Sequence, residues 1–320
     1  MNGVVDSEDL PLNVSRENVQ KNALIEKIKN SLTLRVLKEL QTLAEQNVEK
    51  YGKFWQTYGT LLKEGVSSDF KNKDRLKDLL RFNSSISEDS STDVTLKDYV
   101  SRMREGQKDI FYVTGGSREA ILHNPNLEYF RRQGLEVLFL TDQIDDFMVV
   151  DLRDYDGKTL KNISQGDIEG INDSDMSAAE SSLSKEEKSD ILAFFKKQLK
   201  DRVSEVSDSK RLVDSPCSLV TPKDGMTAQM EKMMKMMDQK FQGEKRNLEV
   251  NMGHPIIQNL SEILQKNKKH PFLEETVEQL YENSLLVEGL LENPVQILSR
   301  YQMFMESASA YELEKLNRVE

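Results

Sequence analysis

The sequence has a single cysteine, Cys217, among 320 residues, so it excludes an intramolecular disulfide and is typical of a reducing compartment. It has no run of about eighteen apolar residues that would span a bilayer, and Met1 is not followed by a charged and then an apolar signal segment. A formal net charge of −11 opposes binding to nucleic acid and anionic membranes. We therefore expect a cytoplasmic protein with neither partner.

Signals of catalysis are also scarce. The histidines His123, His254 and His270 are isolated, and none has metal-ligand spacing with Cys217 or with a carboxylate pair. The chain contains no serine elbow, Walker lysine or HExxH motif. The Gly-Gly-Ser turn at 115–117 follows a predicted strand as a phosphate nest would, but it lacks a third glycine and a lysine, so a turn with a helix N-cap is favoured. The residues predict neither an enzyme active site nor a metal site.

Helical periodicity dominates the first part of a chain long enough for two or three domains. Apolar spacing predicts a long helix from Ser15 to about Asn47 and a second from Val48 to Lys63, which Gly65 ends. Asp69 is expected to cap a third helix that ends near Phe82. A loop is predicted over 83–93, where Ser and Asp are frequent.

The next segment predicts a β-α-β unit. A short helix after Thr95 precedes a buried strand at 110–113, a helix over 117–133 and a second strand over 135–140. Strands connected by a helix are expected to be parallel. An edge strand is predicted near 160–163.

Residues 164–184 are poor in large apolar side chains, which predicts a linker and a domain boundary. Ser184 and Glu187 form a capping box for the following helix. A small, mostly antiparallel sheet and three helices that begin at prolines follow; the strand candidates are 203–206, 211–213, 218–220 and 248–250, and the prolines are Pro255, Pro271 and Pro294. The predicted fold is α+β or α/β, with domains 1–163 and 185–320 flanking the linker.

A methionine-rich segment and the last two helices present the most apolar surface. Met226–Met237 holds six methionines, and four of them, Met226, Met230, Met233 and Met237, fall on one helical face. Such a stripe is usually core, but adaptable binding surfaces also concentrate methionine, and we favour exposure for binding. The last two helices each carry a wide apolar stripe, which predicts a homodimer through Leu280, Leu285, Ile297, Leu298, Tyr301, Phe304 and Met305.

The beginning of the chain carries an arginine in an unusual position. Ser15 is a candidate N-cap, which places Arg16 at the first helical position beside free backbone N–H groups, with Gln20 on the same face. A cation there opposes the helix dipole, but together with the N–H groups it makes a good anion site. Spacing alone favours a solvated arginine.

The string GVVDSEDLPLNVSRE at 3–17 closely resembles a segment of the heat-shock protein 90 chaperones, particularly the bacterial high-temperature protein G type. Further strings extend the resemblance: LLRFNSS at 79–85, DYVSRM at 98–103, EVLFLTDQID at 136–145 and DGKTL at 156–160. The resemblance implies the later middle domain joined to the C-terminal dimerisation domain. It implies that Arg16 and Gln20 contact the γ-phosphate of ATP, bound with Mg²⁺ by a separate domain, so this fragment alone is expected to bind no cofactor and to have no ATPase activity.

The resemblance also implies two client-binding segments. One comprises Asp146, Phe147, Met148 and Val150, although bacterial relatives often have tryptophan in place of Phe147 and a polar amide in place of Val150. The other comprises Met226, Met230, Met233, Met234 and Met237. The expected function is a chaperone fragment that binds non-native proteins and dimerises. The alternative is an acidic helical scaffold with fixed partners, which differs from a chaperone in lacking promiscuity.

Overall fold

The computed structural model describes residues 23–88, 93–166, 181–223, 225–238 and 240–318. The predicted helix start at Ser15, the residues Arg16 and Gln20, and most of the predicted linker lie outside this part of the chain. The chain forms two compact units, Met1–Arg81 and Phe82–Glu320. Across the described residues, no helix is both long enough and apolar enough to cross a membrane.

The first unit contains three helices, α1 Ala23–Gln46, α2 Val48–Ser68 and α3 Lys73–Leu79. The prediction that Gly65 ends α2 is wrong, because the helix continues to Ser68 and Asp69 is its C-cap instead of the cap of α3. Gly65 has a packing role: a Cβ at this position would lie 3.1 Å from the side chain of Leu76 on α3. Trp55 of α2 is buried in the core of this unit.

The second unit begins with a five-stranded sheet in the order β1-β3-β2-β5-β4. The strands β2 and β3 are parallel, as predicted, and β5 pairs parallel to β2 on its other side. The antiparallel strands β1 and β4 form the edges. The elements are β1 Asn83–Ser84, α4 Leu96–Arg102, β2 Asp109–Thr114, α5 Arg118–Leu122, α6 Glu128–Arg132, β3 Leu138–Leu140, α7 Asp145–Leu152, β4 Asp154–Tyr155 and β5 Lys158–Asn162.

Three local predictions in this sheet region need correction. The expected loop over 83–93 contains β1, and the strand near 160–163 is internal because β4 covers its edge. The helix expected over 117–133 is divided between α5 and α6. Pro125 has no N–H and disfavours helix in the residue before it, and the side chain of Asn124 accepts the Asn126 N–H at 2.9 Å to begin a short 3₁₀ turn.

The rest of the second unit is a three-stranded sheet covered by helices. The central strand β8 pairs parallel to β6 and antiparallel to β7, so the sheet is mixed and the prediction of a mostly antiparallel sheet is wrong. The elements are α8 Lys185–Leu199, β6 Val203–Asp208, β7 Cys217–Val220, α9 Ala228–Met237, β8 Arg246–Val250, α10 Pro255–Lys266, α11 Pro271–Glu288, a 3₁₀ turn Pro294–Ile297 and α12 Leu298–Asn317.

The second unit has two parts, which we call the first subdomain (82–166) and the second subdomain (181–318). Each subdomain has its own apolar core. Phe111, Phe130 and Phe139 belong to the first core, and Phe195 and Leu248 to the second. The predicted strand at 211–213 is absent among the described residues because its backbone N–H groups bond to side chains instead of to a neighbouring strand. The predicted α+β fold class is confirmed.

Candidate functional site

A cleft of about 330 Å³ lies between α7 of the first subdomain and α9 of the second. We call it the methionine cleft. Both segments predicted to bind clients contribute to it, although about eighty residues separate them in the sequence. Its lining residues are Gly116, Thr141, Gln143, Asp146, Phe147, Gln229, Met230, Lys232, Met233 and Met236.

The α7 wall presents the side chain of Phe147 beside a buried carboxylate, whereas Met148 and Val150 do not line the cleft. Phe147 and Val150 are 39% and 55% exposed, whereas Met148 is buried in the fold. The start of α7 is fixed by Asp145, whose carboxylate accepts the Asp142 N–H at 3.0 Å. Asp146 lines the cleft but is only 2% exposed, so its carboxylate lies at the floor of the cleft.

The buried Asp146 carboxyl has a perturbed acidity. Burial raises its pKa, and the hydroxyl groups of Thr227 and Thr114 and the nearby charge of Lys232 partly oppose this effect. Among the described residues, no donor meets either carboxylate oxygen in good hydrogen-bond geometry. The Asp146 carboxyl of α7 therefore faces Thr227, which is the N-cap of α9, and Lys232 of α9.

The α9 wall supplies the methionines. Thr227 caps the helix by accepting the Met230 N–H at 3.2 Å, and Met230, Met233 and Met236 line the cleft. Two members of the predicted methionine face, Met226 and Met237, do not line the cleft, whereas Met236, which lies outside that face, does. Met226, Met230 and Met233 are half-buried, while Met234, Met236 and Met237 are exposed.

The buried side chain that α9 contributes is a glutamate. Glu231 is 5% exposed and pairs with Arg246 of β8, which is 4% exposed, with 3.1 Å between Oε2 and Nη2. Arg246 also donates to the Thr221 hydroxyl and to the Met226 carbonyl. A Cβ at Gly243 would collide with the Glu231 carboxylate, so the glycine gives this ion pair its space. A buried ion pair therefore attaches α9 to the sheet.

Sequence reasoning missed this ion pair. The available signals were weak: an acidic residue inside a methionine-rich helix, and a glycine at 243 before the strand. Neither identifies the partner, because that requires knowing which strand lies beneath α9.

Lys232 connects α9 to the end of α11. Its ammonium group lies next to Gly289, which ends α11 with a left-handed backbone at φ +64°. A cation at a helix C-terminus is favoured by the partial negative charge of the last carbonyl groups. Burial raises the pKa of Glu288 at the same helix end, and Arg246, Lys232 and Arg211 oppose the shift.

A larger cavity, of about 560 Å³, is lined by Glu231 and Lys235 of α9 and by residues near the end of α11. Its charged groups are already paired: Lys235 bridges Glu231 and Glu292 at 3.4 and 3.2 Å, and Lys245 pairs with Asp201 at 3.6 Å. Its lining is also more polar than that of the methionine cleft.

The residues predicted to form a dimer interface divide by exposure. Leu280 and Ile297 are buried within the chain, Leu285 and Phe304 are half-buried, and Leu298, Tyr301 and Met305 are exposed on α12. Arg300 fastens α12 to α11 through Glu275 at 2.9 Å and through Glu282. The exposed apolar surface of this region is thus concentrated on α12.

The remaining candidate residues have structural roles. Cys217 is buried, as predicted, and burial raises the pKa of its thiol to about 11. In the 115–117 turn, Ser117 caps α5, and a Cβ at Gly115 would collide with Ile121. Within the described ranges, no group of three or more His, Cys, Asp and Glu side chains is arranged to hold a metal.

Comparisons with known proteins identify similar chains. The family model described as Hsp90 protein matches residues 1–319. The chain is 43% identical over 321 residues to Chaperone protein HtpG of Chlorobaculum tepidum, covering 97% of this chain and 49% of that protein. It is 42% identical to the protein of the same name from Chlorobium luteolum, covering 96% and 49%, and 43% identical to that of Geobacter sulfurreducens, covering 90% and 44%. It spans about half the length of these curated relatives.

Proposed function

The chain belongs to the Hsp90 protein family, and from this premise we propose that it is the client-binding and self-associating part of a molecular chaperone. The relatives that it matches are named as chaperones. The observation that carries the proposal for this chain is the methionine cleft, in which exposed Phe147 faces Met230, Met233 and Met236.

The chemistry of the cleft suits unfolded polypeptides. Methionine is unbranched and polarisable, so its side chain repacks around apolar groups of different shape. The exposed methionines continue beyond the cleft to Met237, which widens the surface available to an extended segment. A surface of this kind supports promiscuous binding better than recognition of one fixed partner.

The test is client binding by a triple variant in which Met230, Met233 and Met237 become serine. We expect it to bind two unrelated unfolding proteins more weakly and to suppress their aggregation less. Its melting should change little, because Met237 is exposed and the half-buried Met230 and Met233 line the cleft and belong to neither apolar core.

A matched control replaces three exposed apolar residues of α1, Leu32, Leu34 and Val36, by serine. This control should keep client binding. Equal loss in both variants would show non-specific hydrophobic capture, and binding to only one test protein would favour the scaffold alternative.

We also propose that the chain forms a homodimer through α12. Leu298, Tyr301 and Met305 leave a long apolar stripe exposed on this helix, and a second copy is a partner that matches it by symmetry. Arg300 holds α12 on α11, so two helices from each chain would present a rigid pair for a four-helix bundle.

In the full-length parent, we propose that Arg16 and Gln20 serve the ATPase cycle of a separate domain that binds ATP and Mg²⁺. A guanidinium supplied from another domain stabilises charge on a transferred phosphoryl group. The 320-residue chain alone is expected to hydrolyse no ATP.

A further inference from the structure

The two walls of the methionine cleft come from different subdomains, so its width depends on how those subdomains are joined. One connection involves Glu128, the first residue of α6. Its carboxylate oxygen Oε2 accepts the N–H groups of Val213, Asp214 and Ser215 at 2.8, 2.8 and 3.2 Å, and Oε1 accepts the Ser215 hydroxyl. Successive N–H groups directed at one anion make a strong and directional contact.

The loop at 213–215 is held ready for this carboxylate. The side-chain amide of the buried Asn251 donates to the carbonyl groups of Val213 and Ser215 at 3.2 and 3.1 Å. Asn251 thus holds the loop through its carbonyl groups. The N–H groups of the loop remain available to Glu128 of the first subdomain. His254 lies beside this contact, where burial lowers its pKa and the Glu128 charge opposes the shift.

Arg211 makes a second connection. Its Nη1 donates to the carbonyl groups of Ile163 and Gln165 in the first subdomain at 2.8 and 3.0 Å. Its Nε and Nη2 donate to both carboxylate oxygens of Glu249 on β8 at 3.0 and 3.1 Å. The guanidinium is buried, so one rigid group bonds both subdomains.

The strand β8 connects Arg211 to α9. Glu249, which holds Arg211, and Arg246, which holds Glu231 of α9, are three residues apart on β8. The connections therefore run from the first subdomain through Arg211 to β8, and from β8 through the buried ion pair to the methionines.

We propose that Glu128 and Arg211 are positioning residues that set the width of the methionine cleft, an inference that rests on the proposed client-binding function. They do not line the cleft. They act by fixing the second subdomain, and with it α9, at one separation from α7.

The experiment measures a distance across the joint by electron–electron double resonance between spin labels on cysteines introduced at Ala120 of α5 and at Asp238, directly after α9. Both positions are exposed, and Cys217 remains unlabelled because it is buried. Glu128→Gln replaces one carboxylate oxygen by an NH₂ group, which cannot accept the N–H groups of the 213–215 loop. In one orientation of the amide this NH₂ group meets those donors, so the distance distribution should broaden or shift. Client affinity should fall about tenfold.

Glu262→Gln is the control, because this exposed glutamate pairs with Lys266 on its own helix. It should keep the original distance distribution and affinity. If Glu128→Gln fails to fold, Ser215→Ala removes a single donor and should give a smaller change of the same kind. Arg211→Lys, which cannot bond both subdomains with one planar group, should also broaden the distribution.

An unchanged distance distribution in Glu128→Gln and Arg211→Lys would overturn the proposal, and so would a broadened distribution with unchanged client affinity. If the unsubstituted chain bound no client, the proposed function would fail, and the label distances would still decide whether these residues set the separation. The two failures are therefore distinguishable.

Discussion

Replacing Arg246 by methionine should be among the most destabilising changes in the second unit. The substitution keeps an unbranched side chain but removes the cation that pairs with Glu231, which would stay buried at 5% exposure. Breaking a buried ion pair by removing one partner typically costs about 3–5 kcal/mol. Lys235 lies 3.4 Å from the same carboxylate and supplies partial compensation, so we expect about 3 kcal/mol.

A double-mutant cycle separates the ion pair from its surroundings. Glu231→Met alone leaves the Arg246 guanidinium buried and should also be costly. The double variant leaves no buried charge, and because hydrophobic replacement of a buried ion pair is often neutral, its cost should be within about 1 kcal/mol of the unsubstituted chain. Because each single variant should cost about 3 kcal/mol and the double variant no more than about 1 kcal/mol, the interaction energy of the cycle should be about 5 kcal/mol in magnitude.

Urea denaturation followed by circular dichroism measures these differences. The single tryptophan, Trp55, provides an internal control because it lies in the first unit. Its fluorescence transition should stay unchanged while the transition of the second unit shifts. A cost below about 1 kcal/mol for Arg246→Met, or additive costs in the double variant, would refute the role of the ion pair.

Three further predictions concern assembly, catalysis and pH. Changing Leu298 and Tyr301 to Glu should convert a dimer into a monomer in sedimentation at micromolar concentration, and a monomeric unsubstituted chain would contradict the interface. In the full-length parent, Arg16→Ala should lower ATP turnover far more than nucleotide binding, as steady-state kinetics and titration would show, because the proposed contact would form only when the domains close. The raised pKa of Asp146 means that the folded state binds this proton more tightly than the unfolded state, so its contribution to stability rises as pH falls from neutral towards the ordinary value of 3.8. Asp146→Asn should remove this contribution to the pH dependence of stability and should raise the free energy of unfolding near pH 8. If the free energy of unfolding of the variant showed the same pH dependence as that of the unsubstituted chain, burial of the charged carboxylate would be contradicted.

Elements defined by neighbouring residues were predictable from the sequence. Ser184 and Glu187 form the expected capping box, and Pro255 and Pro271 begin α10 and α11. These signals act within one or two helical turns, so the residues that cause the structure are adjacent in the chain. The methionine segment was also predictable as a helix, because its N-cap Thr227 and its periodicity are local.

Features that depend on distant residues were not predictable. The pairing of Glu231 with Arg246, the bond from Glu128 to the 213–215 loop and the mixed order of the β6-β8-β7 sheet each need the tertiary arrangement. Helical periodicity alone also overlooked the break at Pro125. The local rule that proline disfavours helix in the preceding residue was available there, and the apolar pattern on both sides concealed it.

The ion pair beneath α9 separates attachment from recognition. Most surface helices use one apolar stripe to adhere to their own protein, so that stripe is unavailable to others. In α9 the buried Glu231 attaches the helix to its own protein, and the methionine side chains are not needed for this attachment. Under the proposed client-binding function, sequence change at the methionines would alter which polypeptides are held with little change in folding stability, so the range of clients could vary independently of the scaffold.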